Sequence, residues 1–164
     1  MAPDLKGNPA DHTPDSLAAG MTGSCLCGAI TVKLTQKDLF AKPIGHTCHC
    51  VNCRKFTGSA LATILMVPAE NVSVSDPKKY LKSFLDSDTG SGDALQRSFC
   101  SNCGSSIGEF IDEESNEKNV FLNTGIFPRI PTPAFELFTK HRHEWMGEVD
   151  GAVQHEYLRK PYKS

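Results

Sequence analysis

Seven cysteines are the residues of this 164-residue chain best placed to do chemistry. Three fall within Cys48-His49-Cys50-Val51-Asn52-Cys53-Arg54-Lys55, and four come as two close pairs, Cys25/Cys27 and Cys100/Cys103. A closed tetrahedral zinc site takes four ligands, whereas a catalytic one takes three and keeps a position open. The set therefore reads as one sealed zinc, on Cys25, Cys27, Cys100 and Cys103, and one open zinc, on Cys48, Cys50 and Cys53. A rival partition joins Cys25/Cys27 to two of the central three and leaves Cys100/Cys103 incomplete. The four-plus-three division is preferred because it uses every cysteine and keeps the three nearest in sequence together.

Zinc held by three thiolates leaves the site with a net charge of about −1, a poorer Lewis acid than zinc on neutral imidazoles. It still accepts another soft sulfur well. The natural fourth ligand is then the sulfur of a thiol substrate, deprotonated on binding. Arg54 and Lys55 stand beside the cluster and could meet the carboxylates of a peptide-like thiol, the arginine bidentately. His46 and His49 are candidate proton carriers near neutral pH. Each has a plainer counterpart. His49 could close the site as a fourth ligand, Arg54 and Lys55 could be solvated surface charges, and His46 could be structural.

Size and composition fit one domain with a real core. Charged residues make up 22% and the apolar set 39%, and the formal charge of −2 offers no global pull toward nucleic acid or anionic membrane. Lys78-Lys79 and Lys140 to Arg142 make only small basic patches. The longest apolar run, Ala60 to Ala69, is too short to span a bilayer. No basic-then-apolar leader opens the chain, so the cysteines are expected as reduced thiolates in the cytoplasm rather than as disulfides. A disulfide framework would also strand one of the seven.

The elements that must position these thiols are mostly short strands. Residues 1–20, broken by Pro3, Pro9 and Pro14, read as a flexible tail with Leu5 and Leu17 isolated, and residues 21–164 as the zinc-binding domain. Gly23 to Gly28 turns into an alternating strand, Ala29 to Leu34. A Cys-X-Cys pair on a straight strand points to opposite faces, so the chain must bend there. Ile44 to Cys48 leads into the central cluster, and Asn52 to Thr57 reads as a helical turn closed by Gly58. Further strands are expected at 59–67, where the period also allows a short helix, and at 72–74, 80–85, 96–100, 106–111, 119–124 and 135–139, with a polar loop at 86–93. Long amphipathic helices are absent, and the fold class is mainly β. Phe138 and Trp145 are expected in the core.

Gly23-Ser24-Cys25-Leu26-Cys27-Gly28, then His46-Thr47-Cys48-His49-Cys50-Val51-Asn52-Cys53-Arg54-Lys55 with Gly58-Ser59, then Phe99-Cys100-Ser101-Asn102-Cys103-Gly104-Ser105, resemble the glutathione-dependent formaldehyde-activating, or centromere-protein-V type, family. The resemblance implies a Mss4-like β-rich single domain with two zinc ions. Their ligands would be the two sets already named. It also implies carbon–sulfur lyase activity, making or breaking a C–S bond between glutathione and formaldehyde. The loop Phe127 to Pro133 departs from the family pattern, and a larger glutathione conjugate becomes the expectation if that loop borders the pocket. The alternative function is a non-catalytic zinc module that binds a partner. Methionine-sulfoxide reductase chemistry fits poorly, since it needs a cysteine outside both sites.

Overall fold

Alternation along two central strands decides what this molecule buries. The structure is a computed structural model that describes residues 8–90, 92–109 and 119–158. Its strands are β1 (Met21–Ser24), β2 (Thr31–Leu34), β3 (His46–Cys48), β4 (Ala62–Pro68), β5 (Val72–Ser75), β6 (Leu81–Asp86), β7 (Leu95–Cys100), β8 (Ser106–Glu109), β9 (Asn119–Asn123), β10 (Phe135–Leu137) and β11 (Val153–His155). One α-helix is described, α1 (Val51–Thr57). Three strands form a sheet in the order β1-β2-β5, and eight form a second in the order β11-β10-β3-β4-β9-β8-β7-β6. The mainly β expectation holds, and no described helix is long and apolar enough to cross a membrane.

Successive strand residues face opposite ways, so one sheet serves two clusters. From β4 and β9, Leu65, Val67 and Leu122 join Met21, Val32 and Leu34 of the small sheet in the main core. Ala62 and Ile64 of β4 instead pack with Cys48, Cys53 and Phe138 in a second, smaller cluster. The buried walls of the main core include Cys25 and Cys100, so the four-cysteine group is built into its edge. The three-cysteine group sits in the second cluster.

Most expected strands occur within a residue or two of their expected ends. Phe110 and Ile111, expected at the end of β8, lie outside the described residues. β1, which runs into the stretch expected as a turn, has no expected counterpart, and neither has β11. β11 pairs in parallel with β10, which in turn runs parallel to β3.

The reading of residues 1–20 is corrected for its described part. Leu17 is buried in the main core, and Arg129 Nη1 donates to the carbonyls of Pro9 and His12, at 3.0 Å each. An apolar side chain with no helical or strand partners in its own sequence found them across the fold. Trp145 is the reverse case. It is 75% exposed, whereas Phe138 is buried as expected.

Gly45 fixes the entry into β3 and hence the height of Cys48. Its φ is +77°, and a Cβ there would lie 2.3 Å from the Ile64 carbonyl oxygen. Both the left-handed backbone and the lack of space demand glycine. Gly45→Ala is expected to cost at least about 2 kcal/mol, a fall of roughly 4–8 °C in a thermal melt. An unchanged melting temperature would contradict this reading of the strand entry.

Candidate metal centres and active site

The four-cysteine group brings together residues more than seventy positions apart. The sulfurs of Cys25, Cys27, Cys100 and Cys103 all lie within 4.8 Å of one another. Cys25 to Cys27 is 3.5 Å and Cys27 to Cys100 is 3.8 Å. Four sulfurs around one tetrahedral zinc sit about 3.8 Å apart, given Zn–S bonds of about 2.3 Å. The bend predicted for Cys-X-Cys is present: Gly28 N–H donates to the Cys25 carbonyl at 2.8 Å. On the other arm Gly104, at φ +76°, donates to Cys100 O at 2.8 Å and folds Cys103 back beside Cys100. Ile30 N–H donates to Cys25 Sγ at 3.2 Å. Hydrogen bonds involving Ser105 help bring the Cys103 thiol to about 6 despite its desolvation.

The three-cysteine group forms where β3 runs into α1. Cys48 ends the strand, Cys50 is the residue capping the helix, and Cys53 lies in its first turn. Cys50 Sγ accepts from Cys53 N–H at 3.4 Å, which bends the three thiols onto one point. Their sulfurs also lie within 4.8 Å of one another, and no fourth Cys, His, Asp or Glu of the described residues joins them. Hydrogen bonds from Cys48 and then Cys53 pull the Cys50 thiol far below its ordinary value, with Arg97 adding to the effect. Cys48 is pushed up correspondingly. This donor set, anionic and converging, fits a soft cation.

His49 does not fill the gap. It is 1% exposed, and its Nε2 lies 3.0 Å from Glu136 Oε1. Glu136, fully buried on β10, also accepts from Thr47 Oγ1 at 3.3 Å, Arg142 Nη2 at 3.0 Å, Val149 N at 2.9 Å and Gln154 Nε2 at 2.7 Å. His49 is thus not among the donors that converge on this site, and through Nε2 its ring ties the residue after β3 to Glu136 of β10. His46 shares the Cys48 face of β3, and burial lowers its imidazole to about 4, so it is neutral at pH 7. Its ring meets Phe121 edge-on.

Arg54 and Lys55 follow Cys53 directly on α1. With Val51, Gly58, Ser59 and Ala60 they line an open cavity of about 430 Å³. Arg54 Nη1 lies 2.7 Å from His143 Nε2, and His143 stacks on Trp145. A neighbouring cleft of about 550 Å³ shares Lys55, Gly58 and Ser59 and continues along Thr63, Ser105 and Asn123. The Phe127–Pro133 loop borders neither. Arg129, Ile130 and Thr132 line a separate hollow of about 220 Å³ with Pro14 and Phe40.

Sequence reasoning missed a charged ring behind the three cysteines. Arg97, 4% exposed on β7, donates through Nε to Asp86 Oδ2 at 2.6 Å and through Nη1 to Glu109 Oε1 at 2.5 Å. The same Nη1 lies 3.9 Å from Cys53 Sγ. Asn52 of α1 closes the ring by donating to both Asp86 oxygens, at 3.1 and 3.0 Å.

Asp86 and Glu136 share a further property. Burial alone would raise both carboxyls, yet Arg97 and Asn52 hold Asp86 below the usual range, and the Val149 amide with His49 does the same for Glu136. A carboxyl depressed on folding contributes stability above its unfolded value, near 4, and loses it as the pH falls through the folded value. Glu136→Gln is expected to flatten the dependence of unfolding free energy on pH below about 4, measured by denaturant titration at several pH values. An unchanged slope would contradict the network.

Fold and site together define a mainly β protein with two separate cysteine clusters, each able to hold a metal ion. Residues 20–141 match the sequence profile of the family described as "Glutathione-dependent formaldehyde-activating enzyme", and the chain belongs to that family. Among solved structures, a crystal structure of a Rhodobacter sphaeroides protein aligns with a TM-score of 0.48 at 21% identity, over 82% of this chain and 98% of that one.

Proposed function

We propose that the chain is a zinc-dependent carbon–sulfur lyase, acting in the cytoplasm, that makes or breaks the C–S bond of a glutathione adduct. The observation that carries this reading is the difference between the clusters: one has four sulfurs, the other three and no further described donor. Zinc on Cys25, Cys27, Cys100 and Cys103 would hold the fold. Zinc on Cys48, Cys50 and Cys53 would supply a soft Lewis acid that takes the substrate sulfur as a thiolate.

The chain's own residues do the remaining work. Arg54 and Lys55, at the cavity rim, bind the carboxylates of glutathione. His46, neutral and on the Cys48 face, lines the reacting side. In the forming direction the sulfur attacks the carbonyl carbon, the C–S bond forms, and the C=O π pair moves to oxygen, which takes a proton from solvent. The proton lost by the thiol balances it. Breaking runs the same step backward. The Phe127–Pro133 loop lies at another hollow, which favours a small electrophile such as formaldehyde over a large conjugate.

Cobalt(II) loading tests this, because sulfur ligation gives cobalt an absorption band that reports each added thiolate. Reduced glutathione is expected to raise the sulfur-to-cobalt band to saturation, and Cys50→Ser to abolish the rise. No response in the wild type would overturn the proposal.

A further inference from the structure

We infer that Arg97 is a positioning residue that holds the negative charge brought to the Cys48/Cys50/Cys53 cluster by an incoming thiolate. The inference rests on the proposed reading that a thiol completes this cluster. A dication with three thiolates carries a net charge of about −1, and a fourth thiolate makes it about −2. Cys48 and Cys53 are buried and Cys50 is half-buried, so charge added among them is less screened by solvent than at the surface. Among the described residues, Arg97 is the basic side chain whose donor reaches a sulfur of this cluster, at 3.9 Å from Cys53.

The placement follows from register. Arg97 pairs across the sheet with Glu109, and Glu109 with Phe121, while alternation puts Phe121 on the face of β9 that packs with Cys48, Cys53 and Ile64. The guanidinium also lies over the Phe56 ring of α1, 5.3 Å from its centroid. Asp86 and Glu109 fix the fork from two sides, and Asn52 fixes Asp86 from between Cys50 and Cys53. A cation wanted only to tie α1 to the sheet would need one carboxylate. Two carboxylates hold this one, and the Nη1 that donates to Glu109 also lies 3.9 Å from Cys53 Sγ, which is how outer groups tune the ligands of a metal.

The charge role and a purely anchoring role differ in a measurable sign. In cobalt-loaded protein titrated with reduced glutathione, Arg97→Lys, which keeps the charge, is expected within about threefold of wild type. Arg97→Met is expected to bind glutathione at least about tenfold more weakly while still carrying two cobalt ions per chain. Asp86→Asn retains an acceptor for Arg97 Nε and removes a competing negative charge, so it should bind glutathione more tightly. Anchoring alone predicts weaker binding for Asp86→Asn. Glutathione uptake by the wild type with equal affinity in Arg97→Met overturns this inference and leaves the proposed function standing. No uptake by the wild type overturns both. Should Arg97→Met lose the second ion, Asp86→Asn decides: tighter binding supports the inference, and weaker or equal binding overturns it.

Discussion

Cys50→Ser is expected to remove one of two metal ions and to cut carbon–sulfur turnover by at least about a thousandfold, while the fold survives. Serine is the informative replacement because Cys50 also caps α1, accepting from Cys53 N–H, and a hydroxyl can still do so. What is lost is a soft, anionic donor. Two thiolates without a third hold zinc weakly, and the removal of a metal that binds the reacting sulfur takes the reaction with it. The second cluster is small and the main core is built elsewhere, so the melting temperature is expected to fall by only a few degrees. Elemental analysis, a melt and an adduct-forming assay read the three consequences separately. Two ions retained with full turnover would contradict the assignment of this cluster.

Cys100→Ser is expected to act on the fold itself. Cys100 is fully buried in the main core, and its group joins β7 to the β1–β2 bend across 73 residues of chain. Metal binding to such a site is folding free energy, about 10–16 kcal/mol for a structural zinc. The whole stability of a domain this size is about 5–15 kcal/mol. Losing one of the four ligands is therefore expected to leave the chain largely unfolded at 37 °C, with both ions lost. A strong chelator should do the same to the wild type more slowly. Circular dichroism and limited proteolysis measure this; a folded Cys100→Ser protein holding one ion would show that the core stands without the clip.

The two clusters were legible in the sequence because cysteine carries its chemistry in its type and its spacing. Cys100-Ser101-Asn102-Cys103-Gly104 needs only a local left-handed turn to converge, and the glycine announces it. Most strands, β1 and β11 apart, were legible from alternation or short apolar runs, and α1 from its closing Gly58. Arg97 was not legible: a charge at an alternating position normally marks the solvent face of a strand, and its partners come from β6, β8 and α1. His49 misled for the same reason. Its position between two metal-type cysteines suggested a ligand, while the carboxylate that takes its ring lies 87 residues away on a strand of unforeseen parallel pairing. Leu17 and Trp145 erred in opposite directions, because a lone apolar residue does not state whether the fold will cover it.

Carbon–sulfur chemistry here requires that the three-cysteine cluster keep a position that an outside sulfur takes. A crystal structure of the zinc-loaded protein with glutathione, its metal positions fixed by anomalous scattering, tests this most directly. The glutathione sulfur is expected about 2.3 Å from the ion held by Cys48, Cys50 and Cys53. Glutathione absent from that ion, with a protein side chain as its fourth ligand, would contradict the account.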